Sequence, residues 1–397
     1  MSQHSSATVP LRLFITVPPG LEDLALSEIQ EKAQLGLLGE GLSDCMEANP
    51  AEKAKGGILL LAPGSCLTPL HHYLKIPTKI TLKLWSFKAR DFPKLYSKLL
   101  ALPWRDYLAS TDISFKVSCK KSRIIHSERV EKTAKRALEK YFQAYPLKKK
   151  NTLGGAVQIH LDIYQDVCQV GLNLSGELLY KRNLRTDTGK APLRENLAAA
   201  LLYLLHTHAK KREIELANTI LLDPMCGSGV FPMEALEFFR PCTSRDFAFT
   251  KFLKESWWKI APSEEMPSDA TLFKYCLGIE SDPMVFKQLE SNLQVCSNDA
   301  YKIKHGDFFQ TDISDLSKNK SLVTICNLPY GKRIPLKNAV GFYSNFFQHC
   351  SSNKDIKLLG ALFPKEYEHA PLPKGTTVLE RRYFKNGGID CVLLILY

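Results

Sequence analysis

The residues Ile220-Leu221-Leu222-Asp223-Pro224-Met225-Cys226-Gly227-Ser228-Gly229-Val230-Phe231-Pro232-Met233-Glu234-Ala235 read as an apolar strand ending in an acid, a Gly-x-Gly turn and a helix. Glycine lets backbone approach a ligand where any Cβ would clash. The helix N-terminus after such a turn attracts anionic groups. The turn has no third spaced glycine for a dinucleotide fingerprint and no Gly-Lys-Ser/Thr for a P-loop, which argues against NAD and ATP. From about residue 184 onward helices and strands alternate around this stretch. That pattern predicts a doubly wound α/β domain.

Two later strand ends fit the same ligand as the glycine loop, and a third suits a nucleobase. Phe273 to Ile279 ends in Glu280, with Asp282-Pro283 directly after. An acid after the second strand of such a sheet takes ribose hydroxyls, and Asp-Pro can cap a helix. Glu280 is therefore expected to hold the ribose and Asp282 the cap. The segment His305-Gly306-Asp307-Phe308 offers Asp307 to an adenine amino group and Phe308 to the ring. Leu322 to Cys326 ends in Asn327-Leu328-Pro329-Tyr330. The Asn327 side-chain oxygen and the Leu328 carbonyl could accept from an exocyclic amine, with Tyr330 stacking on the base. Read alone, Asn, Pro and Gly also make an ordinary β-turn. The chain closes with a hairpin, Thr376 to Phe384 and Ile389 to Tyr397, around Asn386-Gly387-Gly388. It should add an antiparallel strand to the edge of the parallel sheet.

The preceding half is smaller and differently patterned. Leu11 to Val17 and Gly57 to Ala62 read as strands, with a helix from Leu21 to Lys32 between them. Ile113 to Cys119 alternates as a strand, Ser127 to Phe142 as a helix, and Val157–Tyr164 and Val167–Leu174 as paired strands. The boundaries read as 1–62 for an N-terminal part, 63–176 for a second α+β domain and 177–397 for the doubly wound domain.

The chain has 397 residues, 53 Lys and Arg against 41 Asp and Glu, and a net charge of +12. Between Ile113 and Lys150 twelve bases face three acids, so this one segment holds +9 of that excess. Three acids cannot pair twelve bases, so a nucleic-acid contact is expected through Lys120, Lys121, Arg123, Lys148, Lys149 and Lys150. The eleven cysteines include no Cys-x-x-Cys pair. This argues against zinc and a disulfide framework and for reduced apolar fillers. No metal is expected. No run reaches the roughly 18 apolar residues of a membrane helix, and no signal peptide is visible in the polar start. No membrane association and a cytoplasmic location are expected.

Asp223-Pro224-Met225-Cys226-Gly227-Ser228-Gly229 followed by Asn327-Leu328-Pro329-Tyr330-Gly331 resembles the class I S-adenosylmethionine-dependent methyltransferases that modify exocyclic amino groups. Leu179-Tyr180-Lys181-Arg182 and Gly189-Lys190-Ala191-Pro192-Leu193-Arg194-Glu195-Asn196 resemble the THUMP-domain RNA methyltransferases. Within these the likeness is to the bacterial 23S ribosomal RNA guanine-N2 methyltransferases in a short, unfused form. The resemblance implies a Rossmann-like methyltransferase domain with a seven-stranded mixed sheet, behind a ferredoxin-like part and a THUMP domain. It implies S-adenosyl-L-methionine held by Asp223, Met225, Cys226, Gly227, Gly229, Glu280, Asp307, Phe308 and Asn196. It implies Asn327, Leu328, Pro329 and Tyr330 as the catalytic segment and structured RNA as partner, with the oligomeric state open between monomer and homodimer. Glu280 stands where the family usually has Asp, and Leu328 where it commonly has Pro. The excess between Asp223 and Glu280, near 240–270 with Phe247, Phe249, Trp257 and Trp258, reads as a packing cap. Three other readings fit the same residues: N6-adenine methylation, guanine-N2 methylation of tRNA, and a silent RNA-binding assembly factor.

Overall fold

A computed structural model describes residues 10–147, 156–182, 193–253, 271–296, 300–318, 320–331 and 338–397. Contacts divide the chain into two compact units. The first holds described residues within Met1–Val17, Ile29–Leu179 and Thr243–Glu265; the second holds the rest.

The first unit is built on one seven-stranded sheet. Its strands are β1 (Leu11–Thr16), β2 (Glu52–Ala54), β3 (Gly57–Ala62), β4 (Lys79–Lys88), β5 (Ile113–Lys120), β6 (Val157–Tyr164) and β7 (Val167–Asn173), in the order β2-β3-β1-β4-β7-β6-β5. All pairs are antiparallel except β5 with β6. The helix Ser127–Ala144 starts and ends within two residues of its predicted span. Its apolar stripe of Val130, Ala134, Ala137, Leu138 and Tyr141 is buried, while its lysines face solvent. Residues 243–253 group with this unit, although the sequence counts them as an insertion in the other. Phe247 and Phe249 lie 4.9 and 4.8 Å from the buried His71 ring. The Phe249 N–H donates to the Leu174 carbonyl at 2.9 Å. Trp257 and Trp258 lie outside the described residues.

The second unit carries the other sheet: β8 (Ile220–Asp223), β9 (Tyr275–Glu280), β10 (Tyr301–His305), β11 (Leu322–Asn327), β12 (Ile356–Pro364), β13 (Val378–Asn386) and β14 (Ile389–Leu396). The order is β10-β9-β8-β11-β12-β14-β13, with β8 to β12 parallel and β14 antiparallel to both neighbours. This is the expected seven-stranded mixed sheet. The closing hairpin adds an antiparallel strand to the edge of the parallel strands, as expected: β14 pairs with β12 and β13 lies outside it. The inner place of β14 follows from its composition. Cys391 to Leu396 is apolar throughout and at most 3% exposed, so both faces need cover. The strand order reverses between β8 and β11, so a crevice opens beyond their carboxyl ends. Beneath it lies a core of Leu222, Leu277, Leu328, Tyr343, Phe346 and Phe363.

Candidate functional site

The glycine loop after β8 is tied down by its backbone. The Cys226 N–H donates to the Ile279 carbonyl of β9, and the Gly229 N–H to the Cys226 carbonyl, both at 2.9 Å. Gly229 has φ 88° and precedes the helix Val230–Glu237; a Cβ there would lie 2.7 Å from Leu289 Cδ1. Gly227, with φ 54°, would point its Cβ into open space. Gly229 thus serves the fold, whereas Gly227 leaves room above the loop. The sequence reading missed a third glycine. A Cβ on Gly278 of β9 would meet Tyr301 Oη at 2.6 Å and Cys226 Sγ at 2.8 Å. A glycine in mid-strand was the available signal.

Asp223 is buried at the end of β8. Burial pushes its carboxyl well above the usual range and Glu280 adds to this, while the Met225 N–H opposes it. Its Oδ1 has no hydrogen-bond partner among the described residues. An orphaned buried carboxylate oxygen is costly and fits a ligand that donates to it. Glu280 uses both carboxylate oxygens, accepting from the Gly227 N–H at 2.9 Å and the Asp282 N–H at 2.8 Å. Asp282 caps the next helix, its Oδ1 accepting from Met284 and Val285 at 2.8 and 3.2 Å. Glu280 therefore stands beside the loop and Asp282 does not need to.

Asp307 is exposed after β10. It accepts from the Phe309 N–H at 3.0 Å and Gln310 Nε2 at 3.1 Å, so it also caps a short turn. The ring of Phe308 departs from expectation. It is 2% exposed, packed 5.7 Å from Phe346 and 4.8 Å from His349. It has no face left for an adenine, because burying it in the core outweighs leaving it in the crevice. Met225 is half-buried against the same core, and Asn196 is buried in the first turn of the helix Glu195–Lys211.

The segment after β11 is held from three sides. The Tyr330 hydroxyl donates to Asn327 Oδ1 at 2.9 Å and accepts from Asn386 Nδ2 at 3.1 Å. The Tyr343 hydroxyl donates to the Pro329 carbonyl at 2.8 Å. The buried Leu328 donates its N–H to the Leu362 carbonyl of β12 at 2.9 Å. Burial pushes the Tyr330 phenol far above its ordinary value, so the hydroxyl stays protonated and can donate. The surface expected to stack on a base is thus tethered at its hydroxyl. Asn386 and Tyr343 were both missed by sequence reasoning. So was the buried ion pair of Arg182 with Glu234, at 2% and 1% exposure.

Of the six bases predicted to meet nucleic acid, Lys120, Lys121 and Arg123 are exposed at the end of β5 and in the turn after it. Arg123 donates its N–H to Asp166 at 2.8 Å and shares that carboxylate with Arg90. Lys148, Lys149 and Lys150 lie outside the described residues. Among the described residues no group of three or more His, Cys, Asp or Glu could hold a metal, and no helix is long and apolar enough to cross a membrane.

An open seven-stranded α/β sheet with an acid, a glycine loop and an Asn-Leu-Pro-Tyr segment at its switch point defines the second unit as a class I methyltransferase fold. Residues 182–395 match the RMKL-like methyltransferase domain, and the chain belongs to that family. Residues 89–173 match the THUMP domain. Over 336 residues the chain is 28% identical to the ribosomal RNA large subunit methyltransferase K/L of Pseudomonas paraeruginosa, covering 81% of this chain. It spans only 44% of that relative's length. It is 26% identical to the Synechocystis protein slr0064, which carries an RNA methyltransferase name, over 99% of this chain and 98% of that one. The solved structure of SMU.472 in complex with SAH shares the fold with a TM-score of 0.75, at 22% identity over 98% of each chain.

Proposed function

We propose that this chain transfers a methyl group from S-adenosyl-L-methionine to N2 of a guanine in structured RNA, with 23S ribosomal RNA as substrate. The observation that carries this is the amide of Asn327. It sits at the end of β11, next to β8 across the switch point, with its oxygen fixed by Tyr330. The ribosomal substrate is supported by the name of the Pseudomonas relative.

The residues around the glycine loop suit the cofactor's two halves. Glu280 would take ribose hydroxyls, Asp307 the adenine amino group, and Asp223 with the open space over Gly227 the amino-acid end. When bound, the sulfonium supplies an electrophilic methyl group. The rest falls to the chain. Asn327 Oδ1 has a second lone pair beyond the one Tyr330 uses, and it can accept from a guanine amine. With the Leu328 carbonyl it would hold that nitrogen in line and stabilise the positive charge that develops there. A base within a helix would first be flipped out.

Nucleoside mass spectrometry of ribosomal RNA from a deletion strain tests the proposal. Loss of N2-methylguanosine, restored by the purified chain with the cofactor in vitro, is expected. Loss of N6-methyladenosine instead would assign the adenine reading, and loss from tRNA alone would move the substrate.

A further inference from the structure

Of the cations that stand out in the first unit, only Lys116 belongs to the 113–150 run. Strand alternation and register place Arg12 of β1, Lys79 and Lys83 of β4 and Lys116 of β5 on one face of the first sheet. The opposite face carries Leu13, Ile15, Ile80, Leu82, Leu161 and Leu172, all buried. The register chain runs from Lys83 to Gly171, Gly171 to His160 and His160 to Lys116. Lys83 and Lys116 therefore stand three strands apart, about 14 Å at the usual strand spacing. Of the two positions between them, Gly171 beside Lys83 has no side chain and His160 beside Lys116 carries an imidazole. Lys83 lies 5.1 Å over the half-buried Phe14 ring on the same face.

Glu52 of β2 shares this face at its far edge, and Asp162 is the carboxylate among the four cations. Asp162 lies 3.8 Å from Lys83. Among the described residues neither Lys79 nor Lys116 forms an ion pair, and Arg12 and Lys116 are exposed. The crowding is felt by its neighbours. Burial first, then Lys116 and Lys83, lowers the Lys79 amine to about 8 against the pull of Asp162. Burial, then Lys79, Lys116 and Lys83, lowers His160 to about 3. Cations held together at such cost point to an anionic partner. By contrast, the bases Lys132 and Lys135 of the helix Ser127–Ala144 each have a glutamate four residues before them, Glu128 and Glu131.

We propose that this sheet face is a phosphate-binding surface on which Arg12, Lys79, Lys83 and Lys116 hold the backbone of the RNA. It rests on the reading of the chain as an RNA methyltransferase. Arg12, Lys79 and Lys83 all lie outside the segment that matches the THUMP domain, so the surface extends the RNA contact onto the N-terminal strands. Contacts of this type give affinity and register but not base identity.

The test uses the full chain and a 23S ribosomal RNA transcript, with filter binding at several salt concentrations. The triple variant Lys79→Gln/Lys83→Gln/Lys116→Gln should bind at least tenfold more weakly at low salt. Its log–log salt slope should shrink by roughly 2, about 0.7 for each lost single-strand phosphate contact. Its melting temperature should hold or rise, because the crowding is relieved; a merely structural role would lower it. The variant Lys132→Gln/Lys135→Gln/Arg136→Gln, on the helix, should keep most of the slope. An unchanged slope in the sheet variant overturns the surface, and so does an equal loss in both variants, which would signal net charge alone. Unchanged RNA binding with an altered sedimentation of the protein by itself would assign the face to a protein partner instead. A wild-type chain that does not bind RNA would remove the RNA reading and this surface together. Wild-type binding with an intact variant removes only the surface.

Discussion

The hydroxyl of Tyr330 donates to Asn327 Oδ1 at 2.9 Å, three residues back along the chain. The bond fixes which end of the Asn327 amide faces the tyrosine. It makes the oxygen, not the NH2 group, the shared atom of the segment. If Asn327 accepts from the target amine, Asn327→Ala should leave cofactor affinity unchanged in calorimetry and cut single-turnover methylation. The loss of one preorganised group is worth about 2.7–4 kcal/mol of barrier, by analogy with an oxyanion-hole donor. Tyr330→Phe keeps the acceptor but frees its orientation, and should cost less, about 0.5–1.5 kcal/mol. Near wild-type turnover in Asn327→Ala sinks the assignment.

Asn386 should act through Tyr330. It donates to the phenol oxygen, leaving the phenol proton for Asn327. Asn386→Leu is expected to lower kcat with KM for RNA unchanged. Asn386→Asp is nearly the same shape but offers an acceptor, which would draw the Tyr330 proton away from Asn327. It should therefore be no better than the leucine variant. A fully active Asn386→Asp enzyme would show that the contact only packs the hairpin.

The two glycines of the loop should separate in their effects. Gly229→Ala meets Leu289 at 2.7 Å and a left-handed backbone, so it should lower the melting temperature. Gly227→Ala also pays for φ 54°, about 1–2 kcal/mol, but meets no protein atom. Its larger effect should be on cofactor affinity, because the new methyl group would occupy the space above the loop. Equal cofactor affinity in Gly227→Ala and wild type would place the cofactor elsewhere.

Asp223 should trade stability against binding. Burial raises its folded pKa above the unfolded value, so the fold disfavours the ionised carboxylate. The penalty is absent at pH values below the unfolded pKa, near 3.9, grows as pH rises and levels off above the folded pKa. Asp223→Asn removes it. The ligand-free variant should melt higher than wild type at pH 8 and gain less at pH 5, while binding the cofactor more weakly. A lower melting temperature at both pH values would mean that the carboxylate is needed for the fold itself.

Much of the second unit is legible in the sequence because its signals are local. An apolar run ending in Asp223, glycines at 227 and 229, Glu280 followed by Asp-Pro, and Asn327 before Leu-Pro-Tyr each mark a strand end within a few residues. The helix cap at Asp282 followed from the same local chemistry. Phe308 marks where local reading fails. Nothing near it in sequence says that its ring turns toward Phe346 and His349 rather than toward the crevice.

By itself, then, the sequence determined the parallel α/β order, the positions of the acids and glycine loop, and the kinship with THUMP-bearing methyltransferases. Only the tertiary structure decided what holds those residues. Asn386 reaches Tyr330 across 56 residues, Arg182 meets Glu234 across 52, and Lys79, Lys83 and Lys116 share a face because three strands between residues 79 and 173 pair in one register with β5. The physical reason is the range of the forces. Capping, turn chemistry and strand alternation act within a few residues and leave a mark in the local pattern. A buried hydrogen bond or a crowded charge depends on which distant element the hydrophobic core brings alongside, and on the register in which it arrives.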